Sequence, residues 1–187
     1  MKTVILSFSS RADGNCAQIG RLIQSLSCDA VLYDFSTFVL HPCGGCNYEC
    51  FQAREKCPYI ADMECEMLEA VTQSVMTWFI LPNYCDYPCA NFFAFNERSQ
   101  CFFQGRPELL DIYLKVPKRS IVVSNTNTDH FVKALTYQVD QEPEILFLPA
   151  KKYGKVSIKG DLLTDEKVIQ AITAFVNTAL WRQGQIR

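Results

Sequence analysis

The segment HPCGGCNYECFQAREKC, from His41 to Cys57, sets Cys43, Cys46, Cys50 and Cys57 at the spacing C-x2-C-x3-C-x6-C. Four thiolates this close together can surround a [4Fe–4S] cluster or a tetrahedral zinc. Zinc sites of this kind use two C-x2-C knuckles, and here only Cys43 and Cys46 form one. The same two thiols can act as a reversible dithiol, but they lack the strand-to-helix setting that lowers a thiol pKa. The preferred reading is a structured loop without a bound metal, with the cluster left open as an alternative.

A second chemical candidate is SFSSRADGNC, Ser7 to Cys16. Its serines offer hydroxyls, Arg11 offers a forked cation, and Gly14 permits a tight turn. A helix starting near Asn15 adds free N–H groups and a partial positive charge, which favours a phosphate. Ser, Asp, Gly and Asn are also ordinary turn residues. The stretch is neither a GxGxxG fingerprint nor a nucleoside-triphosphate loop, because it has no lysine.

These segments need a scaffold to position them. TVILS (Thr3 to Ser7) reads as a first strand, and Ile19, Leu22, Ile23 and Leu26 recur at helical spacing after it. AVLYDF (Ala30 to Phe35) is the second strand. Asp62 is placed to cap a helix carrying Met63, Met67, Leu68 and Val71. VMTWFILP is apolar throughout, as a strand buried on both faces should be. A helix is expected from about Pro88, a fourth strand over Ser120 to Thr126, and a fifth over Glu144 to Ala150. Thr164 is expected to cap a last helix with the stripe Val168, Ile169, Ile172, Phe175 and Val176.

Strands alternating with helices predict an α/β fold: a three-layer, doubly wound, five-stranded parallel sheet of flavodoxin-like order 2-1-3-4-5. One domain over residues 1–187 is expected, since the chain is too short for two ordinary cores. A net charge of -2 argues against nucleic-acid binding, which needs a basic face. Lys115, Lys118, Arg119, Lys151, Lys152 and Lys155 are read as a solvated surface. No apolar stretch is long enough to span a bilayer, and no export signal is evident, so a cytoplasmic protein with mostly reduced thiols is expected.

At three places the chain resembles the NADPH-dependent FMN reductase family, including its iron–sulfur flavoprotein branch. The family's first loop, G-S-P-R-x-x-G-N-T, corresponds to Phe8-Ser9-Ser10-Arg11-Ala12-Asp13-Gly14-Asn15-Cys16. Its S-P-x-Y element and A-F-x-D-R helix end correspond to Leu81-Pro82-Asn83-Tyr84 and Ala94-Phe95-Asn96-Glu97-Arg98. Its C-x-G-C run before D-D-M corresponds to Cys43-Gly44-Gly45-Cys46 and Ala61-Asp62-Met63. Phe8 stands in place of glycine, which restricts close backbone approach, and Cys16 in place of threonine, which keeps the N–H but loses the hydroxyl.

The resemblance implies FMN, with its phosphate at Ser9, Arg11, Asn15 and Cys16 and its ring against Pro82, Asn83, Tyr84 and Cys85. It implies NAD(P)H as co-substrate, a small electron acceptor (quinone, flavin or aromatic compound) and a homodimer. No side chain is assigned as general acid or base, since the flavin carries the chemistry. Two alternatives remain open. One is an iron–sulfur flavoprotein electron carrier with a [4Fe–4S] cluster on Cys43, Cys46, Cys50 and Cys57. The other is a flavin-free, flavodoxin-like binding module. His41 and His130 are read as surface or helix-start residues, and Asn91 to Phe103 as core with a face suited to a subunit contact.

Overall fold

The structure is a computed structural model and describes residues 2–125 and 129–182. TVILS forms β1 (Thr3–Ser7), buried along its whole length. It is followed by α1 (Asn15–Leu26), β2 (Ala30–Asp34), α2 (Glu64–Thr72), β3 (Met76–Tyr84) and the two-residue β4 (Tyr87–Pro88). Next come α3 (Ala90–Phe103), α4 (Pro107–Lys115), β5 (Lys118–Ser124), α5 (Asp129–Leu135), β6 (Glu144–Pro149) and α6 (Glu166–Arg182).

The sheet runs β2-β1-β3-β5-β6, and every neighbouring pair on this path is parallel. The order in chain numbering is therefore 2-1-3-5-6, not the expected 2-1-3-4-5. The cause is β4, a strand that the sequence reading did not count, which folds back antiparallel on β3 with Tyr84 opposite Tyr87.

Alternate residues of the central strands enter two cores. Ile5, Trp78, Ile80 and Ile121 pack against Ile19, Ile23, Val168 and Ile172 of α1 and α6. Leu6, Phe79, Leu81 and Val122 pack against Met67, Phe92, Phe95 and Phe131 of α2, α3 and α5. With both faces covered, β3 has no polar side to show, which is why its sequence reads as a continuous apolar run. Each large buried side chain contributes about 1.5–3 kcal/mol.

Several expectations are corrected. Pro88 does not open α3. Cys85 and Asp86 both have positive φ (53° and 69°), forming a tight hairpin that keeps Tyr87 and Pro88 extended, so the helix begins at Ala90. The helix α4 was not anticipated, although Pro107 in its first turn and Lys115 in its last are ordinary end signals. Thr164 lies in a separate 3-10 turn, and the N–H of Lys167 is accepted instead by Asp165, immediately before α6. Strand β5 begins two residues before the expected Ser120 and is described as far as Ser124; Thr126 lies outside the described residues.

Lys118 and Arg119 are not solvated: they are buried at the start of β5. The Lys118 ammonium donates to the carbonyls of Tyr113 and Val116 at the end of α4, and Arg119 donates to the Phe175 carbonyl and pairs with Glu144. Burial pulls Lys118 down to about 7. The unfolded chain, with an ordinary lysine near 10.4, then binds more protons than the folded one between these values. The contribution of Lys118 to stability should therefore rise as pH increases from about 7 toward 10, while thiols raised by burial, such as Cys16 and Cys101, work in the opposite direction over the same interval. Urea midpoints of wild type and Lys118→Met at pH 7 and pH 9 isolate it: the difference between the two chains should move in favour of wild type at pH 9, and a difference that is the same at both pH values would contradict it.

Candidate functional site

The loop after β1 is built from short local bonds. Ser9 Oγ accepts the N–H of Arg11, and the Arg11 carbonyl accepts the N–H of Gly14 at 3.0 Å. A Cβ on Gly14 would approach that carbonyl to 3.0 Å, so a side chain there would crowd the turn. Asn15, Cys16 and Ala17, all buried, form the first turn of α1. Their N–H groups have no intrahelical acceptor and find no other among the described residues.

Phe8 does not obstruct this loop. Its ring is fully buried among Phe35, Phe79, Phe92 and Phe95, at centroid distances of 4.8 to 5.6 Å. Its carbonyl accepts from Asn91 Nδ2 at 2.8 Å and from the Cys89 thiol at 3.3 Å, tying the loop to α3. Burial, then the neighbouring Cys89 and Asp34, pushes the Cys16 thiol far up, so it stays protonated.

Ser9, Arg11, Asn15, Cys16, Pro82, Asn83 and Tyr84 all line one cavity of about 30 Å³ at the carboxyl ends of β1 and β3. Cys85 is not among its lining residues and is exposed in the hairpin turn. A second cavity, of about 150 Å³, adjoins it across Ser9, Arg11, Pro82 and Tyr84 and reaches Asn91. A larger cavity, of about 290 Å³, lies at the amino ends of β3, β5 and β6. Ligands of open α/β sheets bind at the carboxyl ends, so the two smaller cavities are the relevant ones.

The sequence reading missed what closes the small cavity. Between β6 and α6 the chain makes three 3-10 turns, and the middle one, Ser157–Lys159, lies across the loop as a strap. Arg11 donates to the Ile158 carbonyl, Asn15 Nδ2 to the Ser157 carbonyl at 2.7 Å, and Gln18 Nε2 to the Gly160 carbonyl at 2.7 Å. Asn15 Oδ1 also accepts the N–H of Leu162. Asn125 holds Ser157 from the end of β5. The only signal for the strap in the sequence was its punctuation by Gly154 and Gly160, both with positive φ.

His130 opens α5, where Nδ1 pairs with Asp86 at 2.8 Å and the ring stacks on Tyr87. His41 is partly exposed and stacks on Tyr59 at 4.8 Å. The cysteine segment is fastened by Arg98 of α3. This buried guanidinium pairs with Asp62 and, at 3.2 Å, with Glu64, and it donates to the carbonyls of His41 and Tyr59. Burial, outweighing the pull of Arg98, raises Glu64 to about 7. Among the described residues no group of three or more His, Cys, Asp or Glu is placed to hold a metal ion. Phe92, Phe95, Phe102 and Phe103 are buried within the chain, and Phe93 is the exposed phenylalanine of α3.

No protein-family model matches the chain, and no curated protein is similar to it in sequence. Solved structures do resemble it. One is FerB, a flavoenzyme NAD(P)H:(acceptor) oxidoreductase from Paracoccus denitrificans (TM-score 0.59, 12% identity, covering 95% of this chain and 93% of that one). Another is an FMN-dependent NADH-azoreductase from Bacillus anthracis in complex with FMN (TM-score 0.58, 11% identity, 98% and 99% covered). A third is Smu.1420 from Streptococcus mutans (TM-score 0.59, 14% identity, 95% and 100% covered). At these identities the likeness establishes a shared α/β fold with a parallel sheet, the flavodoxin-like arrangement.

Proposed function

We propose that the chain acts as a single-domain, flavin-dependent oxidoreductase that binds FMN at the loop after β1. It would pass electrons from NAD(P)H to a small acceptor such as a quinone, a flavin or an aromatic compound. One observation carries this reading: unpaired first-turn amides of α1, the Ser9 hydroxyl and the Arg11 cation converge on one cavity at the carboxyl end of the sheet. Such a cluster suits a phosphate dianion. The fold likeness to flavoenzymes of the same class supports it.

FMN, when bound, supplies the hydride and electron chemistry. The chain's own residues hold and orient. The amides of Asn15, Cys16 and Ala17 would take the phosphate, Ser9 would donate its hydroxyl, and the Pro82 to Cys85 segment would support the ring. Cys16, kept neutral by burial, adds no negative charge beside the phosphate. The fit is good for the amides and incomplete for the side chains. Arg11 and Asn15 already bond the strap, and about 30 Å³ admits only water-sized occupants. Loading therefore requires Ser157 and Ile158 to shift. The exposed rings of Tyr84, Tyr87 and Phe93 suit a homodimer contact, and a cytoplasmic location is proposed. No helix among the described residues is long and apolar enough to cross a membrane.

The strap's hold on these donors favours a second reading, a flavin-free binding module. Titration with FMN and with riboflavin separates the two. A phosphate held by charge-assisted bonds should make FMN bind at least about 100-fold more tightly than riboflavin. Ser9→Asp should remove most of that difference by like-charge repulsion. Equal affinities would refute the phosphate site, and no binding of either would favour the module.

A further inference from the structure

The cysteine segment meets α3 at one point that the spacing of its own thiols does not reveal. The Sγ atoms of Cys50 and Cys101 lie 2.9 Å apart, although the residues are 51 positions apart in the chain. Cys50 sits in the 3-10 turn Glu49–Phe51, directed inward by Tyr48, whose φ of 61° is unusual for a bulky residue. Cys50 is buried, while Cys101 is partly open to solvent. Cys43 and Cys57 lie close enough to act electrostatically on Cys101, and Cys46 in turn on Cys43. Both contact-forming elements are fastened independently, because Arg98 ties α3 to His41, Tyr59 and Asp62 at the ends of the cysteine segment. The pair therefore meets on a braced framework.

We propose that Cys50 and Cys101 form a reversible disulfide that locks the cysteine segment onto α3 when the surroundings turn oxidising. The oxidant is a small-molecule disulfide. Cys101 gives up its proton and its thiolate attacks one of the sulfurs, expelling one small thiolate, which takes up that proton, and leaving a mixed disulfide on Cys101. Cys50 then loses its proton and attacks Cys101 Sγ. The protein disulfide forms, the second small thiolate leaves, and it takes up the proton. Two protein thiols are oxidised and one small disulfide is reduced to two thiols. Cys101 opens the exchange because it is the member of the pair that is partly open to solvent, while burial and the hydrogen bond to Cys50 raise its thiol.

The test uses the full chain, fully reduced and then incubated with excess oxidised glutathione. Free thiols are blocked with iodoacetamide, and the chain is cleaved after glutamate. This cleavage separates residues 50–55, with Cys50 alone, from Cys43 and Cys46, and releases residues 98–108 with Cys101 alone. A linked 50–55/98–108 species is expected, with a thermal midpoint raised by roughly 5–15 °C over the reduced chain. Cys101→Ser should lose both the link and the rise. Recovery of Cys50 and Cys101 both alkylated, joined to other cysteines, or still carrying glutathione would overturn the proposal. The wild-type map decides the question even if the variant fails to fold. None of these results depends on whether flavin binds.

Discussion

Replacing Arg98 with methionine should cost the fold about 3–5 kcal/mol, a large share of the roughly 5–15 kcal/mol that holds a domain together. The guanidinium is nearly inaccessible and faces two carboxylates that are themselves buried, Asp62 and Glu64. Without it both carboxylates lose their counter-charge, and the carbonyls of His41 and Tyr59 lose a donor. The loss should shrink as pH falls toward 5. Glu64, already raised to about 7, can then take up a proton and shed its unpaired charge. Removing all three charges together, as Asp62→Asn, Glu64→Gln and Arg98→Met, should recover part of the stability. Urea unfolding of the single and triple variants measures this. A single variant within about 0.5 kcal/mol of wild type would show that the ion cluster contributes little.

Gly160→Val should release the strap and tighten FMN binding by about 10- to 100-fold. Gly160 has φ of +72°, and a Cβ there would come within 2.5 Å of the Asp13 carbonyl oxygen, part of the backbone of the loop it covers. A β-branched residue cannot hold this conformation cheaply, and the nearby oxygen cannot swing aside as a side-chain tip would. The strap must then lift, freeing Arg11, Asn15 and Gln18 from the carbonyls they now bond. Each such bond is worth about 1 kcal/mol net, so losing two or three shifts the closed-to-open balance by one to two orders of magnitude. Apparent affinity follows the open fraction directly. Fluorescence titration of FMN against both chains provides the comparison. Unchanged or weaker binding by a folded variant would mean that the strap does not compete for the phosphate donors.

These two predictions concern features with unequal traces in the sequence. Arg98 and Asp62 stood out through their resemblance to a flavoprotein family, but nothing in the chain said they would meet. In the fold they form a buried ion cluster that braces the cysteine segment. The strap left almost no trace. Its partners are 142 to 147 positions apart, and its contributions are mainly backbone carbonyls, which every residue type possesses. Lys118 and Arg119 misled for a related reason: a charged side chain reads as surface, whereas a long stem can be buried if its head finds carbonyls or a carboxylate.

What the amino-acid order settled alone was the scaffold's periodicity. A strand buried on both faces must be apolar throughout, and a helix on one face must repeat its apolar residues every three or four positions. β1, α1, β3 and α6 were legible for that reason. The same order placed the loop after β1 ahead of a helix start, and a helix start leaves amides unpaired wherever it occurs. Tertiary structure alone decided what those amides face, that Phe8 turns into the core, and that a distant segment lies over Arg11 and Asn15. It also brought Cys50 to Cys101. Periodicity is a local property that each element carries in its own residues. Proximity between distant segments is created only when the packed sheet brings them together.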